Sequence, residues 1–129
     1  MKLIIGGAYQ GKLDYVLTNY NMNLANVIDG NECKLLSDSY NKDVKVIHNF
    51  QSYIKSRLEE SINPLEEIKN FILNNQDIII ISDEIGYGIV PMTKFDREYR
   101  EVVGRICCYV AKEADEVIRI TCGIGRKIK

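Results

Sequence analysis

Four short blocks of β-branched and aliphatic residues punctuate the chain, and stretches with helical spacing lie between them. Lys2-Leu3-Ile4-Ile5, closed by Gly6-Gly7, reads as a buried strand. A helix is expected from about Gly11-Lys12 to Asn19. A second short strand falls near Ala25 to Ile28 and stops at Asp29-Gly30, a turn pair. Residues 31–42 are polar and irregular and predict no element. From Asp43 to about Glu60 the pattern turns helical: Val44, Ile47, Ile54 and Leu58 share a stripe that Val46, Phe50 and Tyr53 widen.

Asn63-Pro64-Leu65-Glu66 looks like a helix start, with Asn as N-cap, Pro in first position and Glu in third; this helix should run to about Asn74. Asp77 to Ser82 is dominated by isoleucine, as suits a strand buried on both faces. After Asp83 comes a glycine-bearing loop from Glu84 to Pro91. Thr93 and Asp96 then resemble a cap for a long helix. Phe95, Tyr99, Val102, Ile106, Tyr109 and Val110 lie on one side of it, and Arg97, Glu101, Arg105 and Lys112 on the other. Glu116 to Cys122 is the last expected strand, before a basic tail, Arg126-Lys127-Ile128-Lys129. Strands alternating with helices predict an α/β fold, a three-layer arrangement with a small, largely parallel sheet. Both glycine-rich loops would sit at carboxyl ends of strands, where such folds bind ligands.

Composition narrows the setting. A chain of 129 residues fits a single domain over residues 1–129, and 46% apolar with 27% charged residues excludes a disordered segment. Seventeen basic against eighteen acidic residues argue against a protein that holds nucleic acid by bulk charge. Apolar runs such as Ile78–Ile81 are too short to span a bilayer, and the first residues lack the pattern of a secretory signal. Cys33, Cys107, Cys108 and Cys122 contain no C-x-x-C spacing, so reduced, largely buried thiols in a cytoplasmic protein are expected.

The first loop, Gly6-Gly7-Ala8-Tyr9-Gln10-Gly11-Lys12-Leu13, satisfies G-x-x-x-x-G-K between a strand and a helix, the context of a phosphate-binding P-loop. Its glycines let backbone N–H groups curl around phosphate oxygens, the helix start adds partial positive charge, and Lys12 adds a full one. Where the pattern places a Ser or Thr to ligate Mg²⁺, the chain has Leu13, which has no oxygen to offer. Asp83-Glu84, after the isoleucine strand, could hold Mg²⁺ or orient a nucleophile; the plainer alternative is a turn that ends the strand.

The segment Ile79-Ile80-Ile81-Ser82-Asp83-Glu84-Ile85-Gly86-Tyr87-Gly88-Ile89-Val90-Pro91 resembles the N-E-x-G-x-G-[IV]-V-P motif of the adenosylcobinamide kinase/adenosylcobinamide-phosphate guanylyltransferases of cobalamin biosynthesis. Arg97-Glu98-Tyr99-Arg100, Gly104-Arg105, Ala114-Asp115-Glu116-Val117 and Gly123 resemble the family's closing helix and strand, and Gly6-Gly7-Ala8 with Gly11-Lys12 its opening. The likeness covers about the first 20 residues and the last 53. It implies a P-loop NTPase-like fold, ATP or GTP with Mg²⁺, adenosylcobinamide as the small-molecule substrate, and self-association. By position it assigns the phosphate cradle to Gly6, Gly11 and Lys12, and the second loop to Glu84, Gly86, Gly88 and Pro91. Asp83 stands for the family's usual Asn, and Cys107-Cys108 for Asn-Gln. The middle is shortened, without an equivalent of the family's Asp-Cys-Leu-Thr strand end or of its His-rich helix. His48 is the lone histidine, so a guanylylated-histidine step would have to use it; a surface histidine on a helix flank is the plain alternative. The resemblance thus implies kinase-type chemistry carried by Lys12 and Glu84, or a catalytically silent nucleotide-binding module of the same family.

Overall fold

A computed structural model describes residues 1–39, 41–86, 88–90 and 92–129, so Tyr87 and Pro91 of the second loop lie outside the described residues. The strands are β1 (Lys2–Gly6), β2 (Val27–Asp29), β3 (Val46–His48), β4 (Ile79–Asp83), β5 (Glu116–Thr121) and β6 (Ile124–Lys127). The helices are α1 (Lys12–Asn19), α2 (Leu36–Ser39), α3 (Phe50–Glu59), α4 (Leu65–Asn74) and α5 (Lys94–Glu113), and a 3-10 turn spans Leu24–Asn26. They build one sheet in the order β2-β3-β4-β1-β5-β6. β1 to β5 run parallel and only β6 is antiparallel, paired with β5.

Alternation within the central strands explains the three layers. In β4, Ile80 packs into one buried cluster with Leu3, Ile47, Phe50, Ile54, Ile68, Ile106 and Val110, beneath α3, α4 and α5. Ile79 and Ile81 point the other way, into a smaller cluster with Ile4, Val46, Ile118, Ile120 and Val16 of α1. The strand is thus buried on both faces, as its continuous isoleucine run predicts. Among the described residues no helix is long and apolar enough to cross a membrane.

Four readings are corrected. The helix expected from Asp43 to Glu60 is a strand followed by a helix. Val46 and Ile47 are neighbours in β3 and are buried on opposite faces of the sheet, so apolar residues at consecutive positions imitated a widened helical stripe. The second strand is Val27–Asp29, with the 3-10 turn occupying the positions just before it. The basic tail is the edge strand β6, joined to β5 by a tight turn at Cys122 and Gly123. The thiols are free but not largely buried: Cys33 is buried, Cys107 half-buried, and Cys108 and Cys122 exposed. Burial pushes the Cys107 thiol up to about 11.

The caps hold in outline. Thr93 accepts the Asp96 N–H at 3.1 Å at the start of α5. Asn63 accepts the Leu65 N–H at 3.1 Å, while α4 begins at Leu65, one residue later than the Pro-first reading. α5 buries Val103, Ile106 and Val110 most deeply, with Phe95, Tyr99, Val102 and Tyr109 partly buried beside them.

Candidate functional site

Parallel pairing brings both candidate loops to one end of the sheet. β1 and β4 are adjacent, Gly6 lies in register with Asp83, and the Glu84 N–H donates to the Gly6 carbonyl at 2.9 Å. Asp83 therefore ends β4 directly beside the loop that leaves β1. Gly6 itself is required by close approach to β5, since a Cβ there would meet the Ile120 carbonyl oxygen at 2.5 Å. Past it the loop turns through two left-handed residues, Tyr9 at φ 57° and Gly11 at φ 83°. Gly11 occupies a conformation that costs a glycine little, and no side chain caps the helix start behind it.

Lys12 opens α1 and is only 5% exposed. Its ammonium donates to the Gly7 carbonyl at 2.6 Å and pairs with Asp83 Oδ1 at 2.6 Å. The lysine thus lies beneath its own loop, with its charge matched by the carboxylate at the end of β4. Asp83 is oriented from the other side as well, its N–H donating to Gln51 Oε1 of α3 at 3.0 Å.

A cleft of about 420 Å³ opens over this pair. Ala8 to Asp14 form one wall; Asn31, His48, Asn49 and Asp83 form the other. His48 is therefore not on a helix flank: it ends β3 and faces the phosphate-loop candidate. Burial lowers the affinity of its imidazole for a proton; Asp29 and Asp83 oppose that shift and Lys12 adds to it. Behind His48 the Asp29 Oδ1 accepts from Asn31 N at 2.9 Å, Asn31 Nδ2 at 3.0 Å and Asn49 Nδ2 at 3.0 Å. For Asp29, burial acts to raise the carboxyl pKa, and these bonds with nearby His48 outweigh it, holding the group below its usual range. Asp29, Asn31 and Asn49 escaped the sequence reading. The signal for them is Asp29-Gly30 at the carboxyl end of a strand, a position that serves ligand binding as well as turning.

Glu84 stands apart. Its carboxylate pairs with Arg119 of β5 at 3.1 Å and does not line the cleft. Leu13 lines the cleft but is half-buried against Val16 and its neighbours in the smaller core cluster. Among the described residues no group of three or more His, Cys, Asp or Glu side chains converges to hold a metal ion. The donor set suits a Mg²⁺ shared with phosphate oxygens, which needs only one or two carboxylates, and Asp83 is the carboxylate that meets the loop. The uncapped helix start and buried lysine likewise suit a polyphosphate.

A sequence profile of CobU, described as cobinamide kinase / cobinamide phosphate guanyltransferase, matches residues 18–128. The chain belongs to this family. The match begins within α1, so the assignment of the loop at 6–13 is carried by its motif and geometry. Two relatives bear the name bifunctional adenosylcobalamin biosynthesis protein CobU. The Escherichia coli (strain K12) protein is 36% identical over 76 residues, covering 56% of this chain and 41% of that relative. The Salmonella typhimurium (strain LT2) protein is 40% identical over 52 residues, covering 40% of this chain and 29% of that relative. The aligned stretches thus span less than half the length of these CobU proteins.

Proposed function

We propose that the chain is a nucleoside triphosphate-binding enzyme of cobalamin assembly that transfers a phosphoryl group from ATP or GTP to adenosylcobinamide. The observation that carries this reading is the buried Lys12 ammonium, 2.6 Å from Asp83 and 2.6 Å from the carbonyl of Gly7. A lysine held under a glycine-bearing loop at a helix start is placed to meet β- and γ-phosphate oxygens. The backbone of residues 6–11 would grip the phosphates, and Lys12 would turn from Asp83 to offset charge on the transferred group. Asp83 would then be free to hold Mg²⁺, which supplies Lewis-acid polarisation of the phosphates when bound. The acceptor hydroxyl would enter opposite the loop, along the wall of Asn31, His48 and Asn49. Glu84 would act as base or metal ligand only after leaving Arg119.

The family description supports a second step, guanylyl transfer, in which His48 would be the nucleophile. An imidazole nitrogen would attack the α-phosphorus of GTP, forming an N–P bond as pyrophosphate leaves, and the GMP group would pass to the phosphorylated substrate. The placement of His48 on the cleft wall favours this over a bystander role. A different reading, a catalytically silent nucleotide-binding module, draws support from Leu13, which offers no oxygen and packs toward the core.

Incubating the protein with adenosylcobinamide, GTP or ATP, and Mg²⁺, with products read by mass spectrometry, separates these readings. The expected result is adenosylcobinamide phosphate, with His48→Ala retaining this step and losing any guanylylated product. Nucleotide binding without phosphorylation would select the silent module. Guanylylation that survives His48→Ala would remove the histidine from the mechanism.

A further inference from the structure

Gln10 lines the candidate phosphate cleft, and both of its oxygen acceptors are engaged by the β5–β6 hairpin. Its side-chain Oε1 accepts the Cys122 N–H at 2.7 Å, and its carbonyl accepts the Gly123 N–H at 2.8 Å. These donors are consecutive residues at the tip of the β5–β6 hairpin, where φ is 50° at Cys122 and 77° at Gly123, so the two N–H groups present themselves together. The hairpin seats closely: a Cβ on Gly11 would lie 3.4 Å from the Gly123 Cα.

The direction of one peptide plane gives this contact its meaning. In a trans peptide the carbonyl and the following N–H point opposite ways. With the Gln10 carbonyl committed to the hairpin, the Gly11 N–H is aimed away from the hairpin, and Gln10, Gly11 and Lys12 all line the cleft. The residues on either side of Gln10, Tyr9 and Gly11, both hold left-handed backbone. For tyrosine that conformation is disfavoured and persists only where surrounding structure enforces it.

We propose that Gln10 is a positioning residue: by clamping the hairpin tip with side chain and backbone at once, it holds the loop in its phosphate-receiving shape before any nucleotide arrives. The role rests on the nucleotide-binding reading above. It makes the β5–β6 turn, remote in sequence, part of the loop's support, and it gives a reason for the glutamine that differs from direct contact with ligand.

Gln10→Met keeps the length of the side chain and the backbone bond to Gly123 while removing the acceptor for Cys122. Gln10→Glu keeps that acceptor. The predicted result for Gln10→Met is faster hydrogen exchange at the Cys122 amide and binding of GTP with Mg²⁺ about three- to tenfold weaker than wild type, the effect of one hydrogen bond. Exchange along the β1–β5 ladder should stay as in wild type. Gln10→Glu should restore protection at Cys122, which a general loosening of the fold would not do. Wild-type affinity in Gln10→Met overturns the positioning role and leaves the nucleotide-binding reading intact. Absence of GTP binding by the wild-type protein itself overturns both.

Discussion

Lys12 and His48 are the residues whose placement most changes the chemistry within reach. Lys12 is buried with one carboxylate and one carbonyl as partners, so its charge is stored rather than solvated. His48 has moved, relative to the helical reading of its surroundings, from a helix flank to the cleft wall. Its folded-state pKa lies below the ordinary value of 6.5, chiefly because burial disfavours the charged ring. As pH falls below that value the unfolded chain takes up the proton first, so the contribution of His48 to stability is complete above it. That contribution is then lost as pH falls through the folded-state pKa. The unfolding midpoint of wild type should therefore drop relative to His48→Gln between about pH 8 and pH 5. A constant difference between the two proteins across that range would contradict the assigned environment.

At the scale of elements, most of what positions the site was legible. β1, α1, α4, β4, α5 and β5 follow from block length, cap residues and the two-sided isoleucine run, and the loops fall at strand ends as parallel topology requires. β3 was hidden because it is three residues long, too short for alternation to show, and leads at once into an amphipathic helix. β6 was hidden for the opposite reason. Its residues are mostly exposed at the sheet edge, and its sequence, Ile124-Gly125-Arg126-Lys127, carries charge where a buried strand would be apolar. Losing β3 from the reading also lost the wall of the cleft, since Asn31, His48 and Asn49 gain their places from β2 and β3. The close approach of β1 to β5 gives a test that needs no ligand. Gly6→Ala drives a Cβ to 2.5 Å from the Ile120 carbonyl oxygen. Urea unfolding should show a loss of about 1–3 kcal/mol, and an unchanged midpoint would mean the strands can part without cost.

For the whole molecule, the near balance of seventeen basic and eighteen acidic residues means that an anion must be attracted locally. The sheet supplies the means by setting a helix start, a buried lysine and a carboxylate at the same end. The profile match runs from residue 18 to 128, so the phosphate loop at 6–13 rests on its own motif and geometry. Removing the Lys12 charge should disable that loop without unfolding the rest, because Asp83, with 25% of its side chain exposed, can turn to water. The most direct measurement is calorimetric titration of GTP with Mg²⁺ into wild type and Lys12→Ala, with circular dichroism to show that both are folded. The expected result is one-site binding by wild type and an affinity about ten- to a hundredfold lower in Lys12→Ala, the worth of a charge-assisted hydrogen bond. Equal affinity in the two proteins, or no binding by wild type, would contradict it.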